Sequence, residues 1–160
     1  MTSSTEFKIL PLGSSYREDI KAHYLRLPKK DQYNRFMFSM DDKSLSEWVD
    51  KIDFARTRIF GIYVTSKDEK PILAAVSLLT FDTNKTKHAE IALSVDALYR
   101  RSKYGWALMD RVIDEARAHG ASCLKMNCLE NNVSMINFAQ KKGFKLKDPD
   151  LGCIFGKLKL

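Results

Sequence analysis

Residues 95–109, VDALYRRSKYGWALM, constrain the fold more than any other stretch of the chain. An apolar strand runs into them, two arginines, a serine and a lysine follow, and an amphipathic helix begins at Gly105. Leu108, Met109, Val112, Ile113 and Ala116 share one helical stripe. Asp110, Arg111, Asp114, Glu115 and Arg117 take the other face, and Gly120 supplies a left-handed stop. Upstream, HAEIALSV (88–95) alternates as a strand does, with Ala89, Ile91, Leu93 and Val95 on one side and Glu90, Ala92 and Ser94 on the other. A helix entered through a basic turn is an anion site. The N–H groups of its first turn lack partners, and the helix dipole adds about half a positive charge there. Arg100, Arg101 and Lys103 add full charges at the same place. The ligand expected there is a pyrophosphate.

The remainder of the chain alternates strands and helices. FKILPL (7–12) reads as a first strand. Ser15 to Glu18 reads as a capping box opening a helix that runs to about Leu27, where Pro28 stops it. Ser44 to Glu47 reads as a second capping box, for a short helix carrying Leu45, Trp48, Val49 and Ile52. RIFGIYVT (58–65) and ILAAVSLLTF (72–81) form a hairpin around KDEKP, and the ten-residue apolar run reads as a strand buried on both faces. CLKMNCLE (123–130) is a further strand. Asn132 then caps a helix with Met135, Ile136 and Ala139 on its stripe, and Gly143 ends it. A terminal strand pair lies at 144–147 and 153–159.

This order resembles the GNAT superfamily of acyl-CoA-dependent N-acyltransferases. The family signature is a strand ending in Val, then Arg or Gln, two residues, Gly, one residue, Gly or Ala, and Leu two residues on. It reads here as Val95, Arg100, Lys103, Gly105 and Leu108. The second landmark, an Asn followed eleven residues later by Gly-Phe, reads as Asn132 and Gly143-Phe144. Together the two motifs are far more specific than either alone, and the resemblance extends over about residues 7 to 160. LPKKDQYNRFMFS (27–39), IDFAR (52–56), AEIALSV (89–95) and LENNVSMINFAQKKGF (129–144) further resemble the acetyltransferase domain of bacterial protein lysine acetyltransferases. The chain departs from the family at two points. The loop's first Gly is Lys103, and Ala139 stands where many members carry the Tyr that protonates the departing thiolate.

The resemblance implies an α/β fold: a mixed, mostly antiparallel central sheet with helices on both faces and a splayed strand pair that binds acyl-CoA. It implies acetyl-CoA as co-substrate and an amine acceptor, either a protein lysine or a small molecule, attacked directly in a ternary complex. The backbone of Leu93, Ser94 and Val95 would hold the pantetheine arm and thioester carbonyl. The loop Arg100, Arg101, Ser102, Lys103, Tyr104, Gly105 and Trp106 would hold the pyrophosphate, with Asn132 bonding the arm besides capping its helix. Glu90 would be the general base, its carboxylate partly shielded on a face of small residues that leaves open space. Read without the family, Glu90 is rather an exposed strand carboxylate paired to a lysine such as Lys87. Lys103 and Ala139 also admit a non-catalytic acyl-CoA-binding sensor or interaction module on the same fold.

Other side chains carry two readings each. Cys128 is an acyl-carrying nucleophile or a small buried residue sharing a face with Leu124 and Met126. His88 and His119 are bases or ordinary residues of a strand and a helix end. Ser134 donates to the thiolate or belongs simply to a first helical turn. Tyr33 and Arg35 meet a ligand or serve packing.

With 160 residues the chain builds one sizeable core, expected to be a single domain over 1–160. No apolar run reaches the length of a membrane span, and the start MTSSTEFK lacks a signal core, so a cytoplasmic protein is expected. Three cysteines without a CxxC pair argue against a disulfide framework or a metal site. The net charge of +7 is scattered and end-weighted, with no basic helix interleaved with exposed aromatics, which disfavours nucleic acid and suits CoA phosphates or plain solubility. The expected partners are thus acetyl-CoA and the amine, with a homodimer admitted.

Overall fold

A computed structural model describes residues 7–65, 68–84 and 87–160. The N-terminal start through residue 6 and part of the KDEKP turn lie outside them. Seven strands form one sheet: β1 (Ile9–Pro11), β2 (Thr57–Val64), β3 (Ile72–Phe81), β4 (His88–Val95), β5 (Cys123–Leu129), β6 (Lys145–Leu146) and β7 (Cys153–Lys159). Their order is β1-β2-β3-β4-β5-β7-β6. Every neighbouring pair is antiparallel except β4 and β5. That parallel pair requires a crossover, and the amphipathic segment after Lys103 provides it.

Five helices cover the sheet: α1 (Arg17–Arg26), α2 (Lys29–Phe36), α3 (Asp42–Asp50), α4 (Tyr104–Ala118) and α5 (Val133–Lys141). The predicted stripe of α4 is buried, Leu108, Met109, Val112 and Ala116 completely, against Phe60, Ile62, Ala89, Ile91 and Leu124. Met135, Ile136 and Phe138 of α5 pack on the same cluster. The opposite face is covered by Ile20 and Tyr24 of α1, Leu27 just after it, Phe36 of α2 and Leu45 and Val49 of α3. The mixed, mostly antiparallel sheet with helices on both faces is therefore as expected.

Double coverage explains the unbroken apolar run of β3. Val76 and Leu78 join the α1–α3 cluster, while Ala75 and Leu79 join the α4 cluster. Ile62 pairs with Ala75 but Tyr63 with Leu73, so Ala74 is an extra residue, a bulge that returns Leu73 to the α1–α3 side.

Neither capping box forms. Ser15 lies inside a 3-10 turn, Ser14–Tyr16, that leads into α1, and the residue before α1 makes no side-chain cap bond. The α3 helix starts earlier than Ser44 because Asp41 accepts the Ser44 amide at 2.7 Å, leaving Ser44 within the first turn. Helix α2 has no counterpart in the sequence reading, which stops at Pro28. Pro28 in fact stands immediately before a new helix, where its missing N–H costs nothing.

Candidate active site

The β4–β5 ladder is short. His88, Ala89 and Glu90 pair with Cys123, Leu124 and Lys125, and no pair follows. Meanwhile β3 stays paired with β4 from Ala89 to Val95, and β7 with β5 through Leu129. Each strand is held by its outer neighbour while the two diverge, so the β5-facing edge of β4 beyond Glu90 has no strand partner. The splayed pair expected from the sequence is present.

A cleft of about 500 Å³ fills this divergence. Glu90 to Val95 form its β4 wall, Asn127 and Cys128 its β5 wall, and Asn132, Ser134, Met135 and Phe138 its α5 wall. Gly105, Trp106, Arg100 and Lys103 also line it, as do Asp31, Arg35 and Phe36 of α2 and Trp48 of α3. Of the residues expected at the site, Glu90, Leu93, Ser94, Val95, Arg100, Lys103, Gly105, Trp106 and Asn132 thus border one space.

Arg101, Ser102 and Tyr104 have no side chain on the cleft wall. Tyr104 is buried, packing edge-on to Phe7 with ring centres 5.0 Å apart and stacking on Tyr99. The Ser102 hydroxyl donates to the Tyr99 carbonyl, and Arg101 is exposed. Tyr104 and Ser102 thus brace the loop through Tyr99.

Lys103 stands just before α4 with φ 68° and ψ 9°, the left-handed conformation that glycine adopts freely. Holding an L-residue there costs about 1–2 kcal/mol. Its cation stands at the helix entrance in return, since Lys103 borders the cleft. Gly105 is informative for the opposite reason. Its φ is not positive, and a Cβ would meet Leu93, Phe138 and Val95 only at ordinary distances of 3.6–3.8 Å. Neither backbone angle nor packing demands glycine, yet the residue borders the cleft at a helix start.

Arg100 forms an ion pair with Asp31, so the loop is tied to α2. Asn132 caps α5 by accepting the Met135 amide at 3.3 Å. Trp106, 40% exposed, packs edge-on to Phe138 at 5.4 Å and beneath the Lys142 ammonium at 4.0 Å.

Three expectations about the face of Glu90, Ala92 and Ser94 change. Glu90 is exposed rather than shielded, and among the described residues no basic group lies within ion-pair distance of it. Ala92 packs into the α1–α3 cluster. Ser94 does not face open space, because α1 crosses that end of the strand and His23 bonds its hydroxyl at 2.9 Å. The other His23 ring nitrogen, Nδ1, lies 2.8 Å from the Leu73 carbonyl. A carbonyl only accepts, so Nδ1 donates and Nε2 accepts from Ser94. Burial pushes the His23 pKa from 6.5 down to about 4, which keeps the ring neutral and this bonding pattern intact. Sequence reading missed His23, although it sits beside Ile20, Tyr24 and Leu27 on the buried stripe of α1.

The remaining candidates separate cleanly. Cys128 is 2% exposed, and burial raises its thiol pKa, which suits a packed residue and not a nucleophile. His119 bonds its own helix carbonyl at Glu115 and lies 3.1 Å from Arg58, away from the cleft. His88 and Tyr33 do not line it either, whereas Ser134 and Arg35 do. Ala139 is wholly buried, and its methyl group offers no hydroxyl at that point of α5. Among the described residues no cluster of His, Cys, Asp or Glu is arranged to hold a metal, and no helix is long and apolar enough to cross a membrane.

Solved structures share this architecture. The GNAT domain of PAT from S. lividans superposes with a TM-score of 0.78 at 17% identity, covering 96% of this chain and 90% of that one. A GNAT-family acetyltransferase from Staphylococcus aureus Mu50 gives 0.73 at 18% identity, covering 97% and 99%. The protein yncA of Salmonella typhimurium, solved with its cofactor acetyl-CoA, gives 0.71 at 16% identity, covering 98% and 95%. At these identities the likeness concerns the fold. The sequence itself matches the acetyltransferase (GNAT) family over residues 23–144, a span holding the splayed strands, the basic loop and the Asn-capped helix. On that match, the chain belongs to the GNAT acetyltransferase family.

Proposed function

We propose that this protein transfers an acetyl group from acetyl-CoA to an amine by direct attack in a ternary complex. The observation that carries the reading is the unpartnered edge of β4 beside Glu90, ending at a basic helix entrance. Acetyl-CoA supplies the activated thioester. The amides opening α4, with Arg100 and Lys103, hold its pyrophosphate. Backbone groups of Leu93, Ser94 and Val95 on the free edge hold the pantetheine arm and orient the carbonyl, where developing negative charge needs donors. Asn132 and Trp106 border the arm's path.

Glu90 accepts the proton that an ammonium must shed before nitrogen attacks, directly or through one water. Its exposure makes it reachable by an incoming amine. Ala139 offers no proton to the leaving thiolate, so Ser134, the hydroxyl of α5 on the cleft wall, is the nearest substitute in role. The acceptor is a protein lysine or a small amine, and the protein acts as one domain in the cytoplasm.

The test measures CoA release against a panel of amines, with calorimetry of CoA binding alongside. Glu90→Gln is expected to lower kcat/KM by about 10²–10⁴-fold with CoA affinity unchanged. Turnover that survives the substitution refutes the base. Tight CoA binding with no amine-stimulated release in wild type favours a sensor on the same fold.

A further inference from the structure

Of the two arginines on the cleft wall, Arg100 has a carboxylate partner and, among the described residues, Arg35 does not. Arg100 pairs with Asp31, Arg26 with Asp96 and Arg111 with Glu115. Arg17 donates to the Val49 and Asp50 carbonyls at 2.7 and 2.9 Å. Arg35 is half-buried on the cleft wall, yet among the described residues no carboxylate lies within 4.0 Å of it. Its one hydrogen bond is a long 3.4 Å contact to the Tyr24 hydroxyl, and its Nε is buried without a partner.

The guanidinium is nevertheless firmly placed. It lies over the rings of Phe36, Tyr24 and Trp48, at 4.6, 5.4 and 5.5 Å from their centres. Those three rings brace one another edge-to-face at 5.0–5.9 Å. A planar cation laid on aromatic faces presents its N–H groups in the plane, and with Nε buried the terminal Nη1 and Nη2 remain for a ligand. An arginine fixed in this way, partly desolvated and without an anion, is built to receive a carboxylate through two parallel bonds.

Its place in the cleft selects which ligand brings that carboxylate. Phe36 and Trp48 belong to the cluster that packs Ala92, and Ala92 is two residues from Glu90 on the same side of β4. Two residues along a strand span about 7 Å. The anion anchor and the base therefore border the same cleft.

We infer that Arg35 binds the carboxylate of a small acceptor that also bears the reacting amine, so that the acceptor class is amino acids. The inference rests on Glu90 marking where the amine is delivered. Arg35 is then a specificity-determining residue, and the aromatic platform beneath it fixes the angle at which the acceptor lies.

The experiment has two arms. In the first, kcat/KM is compared for the proteinogenic amino acids and for the same amines lacking the carboxylate, such as lysine against 1,5-diaminopentane. Wild type is expected to prefer at least one amino acid over its counterpart by about 30-fold or more. Arg35→Met should bring that ratio below about threefold whatever the absolute rate, and Arg35→Lys, which keeps the charge without the planar fork, should fall between. In the second arm, calorimetry measures binding of the N-acetyl amino acid products and of the corresponding N-acetyl amines, which needs no turnover. Binding of the carboxylate series alone, lost in Arg35→Met, supports the inference even if Glu90→Gln disproves the base. No carboxylate preference in either arm, or a preference that survives Arg35→Met, overturns it. Should Arg35→Met fail to fold by circular dichroism, the Arg35→Lys ratio decides in the same way. Preference for a lysine-containing peptide over every free amino acid also overturns it, in favour of a protein acceptor.

Discussion

Acidification acts on this protein through His23. The ring is fully buried, donates to the Leu73 carbonyl and accepts from Ser94, and burial holds its pKa near 4 against 6.5 in an unfolded chain. The folded value lies below the unfolded one. Between those two values the unfolded chain binds the proton first, so stability is full above pH 6.5 and falls as the pH falls toward 4. Integrating that window gives a loss of about 2 kcal/mol between pH 7 and 5 and about 3 kcal/mol by pH 4. The assay is urea denaturation followed by tryptophan fluorescence at half-unit steps of pH, on wild type and on His23→Asn. Asparagine can still donate toward Leu73 but does not titrate. At pH 7 the variant should be less stable by about 1–3 kcal/mol, because Ser94 loses its acceptor. The gap between the two curves should then narrow steadily below pH 6.5. Curves that stay parallel from pH 7 to 4 would refute the claim that the ring is held neutral.

Two further substitutions examine the helix entrance. Gly105→Ala meets no neighbour closer than 3.6 Å, so folding stability should hold or rise by up to about 1 kcal/mol while calorimetry shows CoA affinity lowered by about tenfold. An affinity left unchanged would mean that nothing approaches that backbone. Lys103→Gly should relieve about 1 kcal/mol of left-handed strain, raising the melting temperature, and weaken CoA binding by about 1 kcal/mol, a loss that shrinks in high salt. A lower melting temperature would show that the Lys103 side chain stabilises the loop more than its backbone strains it.

Long, strongly periodic segments were legible in the chain. The stripe of α4, the alternation of β4 and the doubly buried β3 each state their own burial, because one repeating pattern runs for eight residues or more. Asn132 was legible as a cap because the residues it serves follow it directly. What escaped depends on contacts between distant segments. Helix α2 buries only Gln32 and Phe36, and an eight-residue element with two buried positions has no readable period. Its position comes from Phe36 closing on Tyr24 and Trp48, partners from two other helices. The second capping box failed because Asp41 was the better placed acceptor, and the first because Ser15 is taken up in a 3-10 turn. At the cleft, the strand that carries Glu90 was visible, but not that α1 would cover Ser94, since strand alternation names a face without naming what lies on it. The importance of Arg35 was equally hidden, because an arginine's significance lies in the partner it lacks.

The placement of β7 also bears on how the protein is made. Strand β5 shares seven paired positions with β7 but only three with β4. Until the ribosome has released the residues after Cys153, one wall of the cleft is therefore a nearly bare edge, open to pairing with a neighbouring nascent chain. Chaperone protection during synthesis should matter most in that interval, and a premature stop just upstream of β7 should yield aggregate in place of a weakened enzyme.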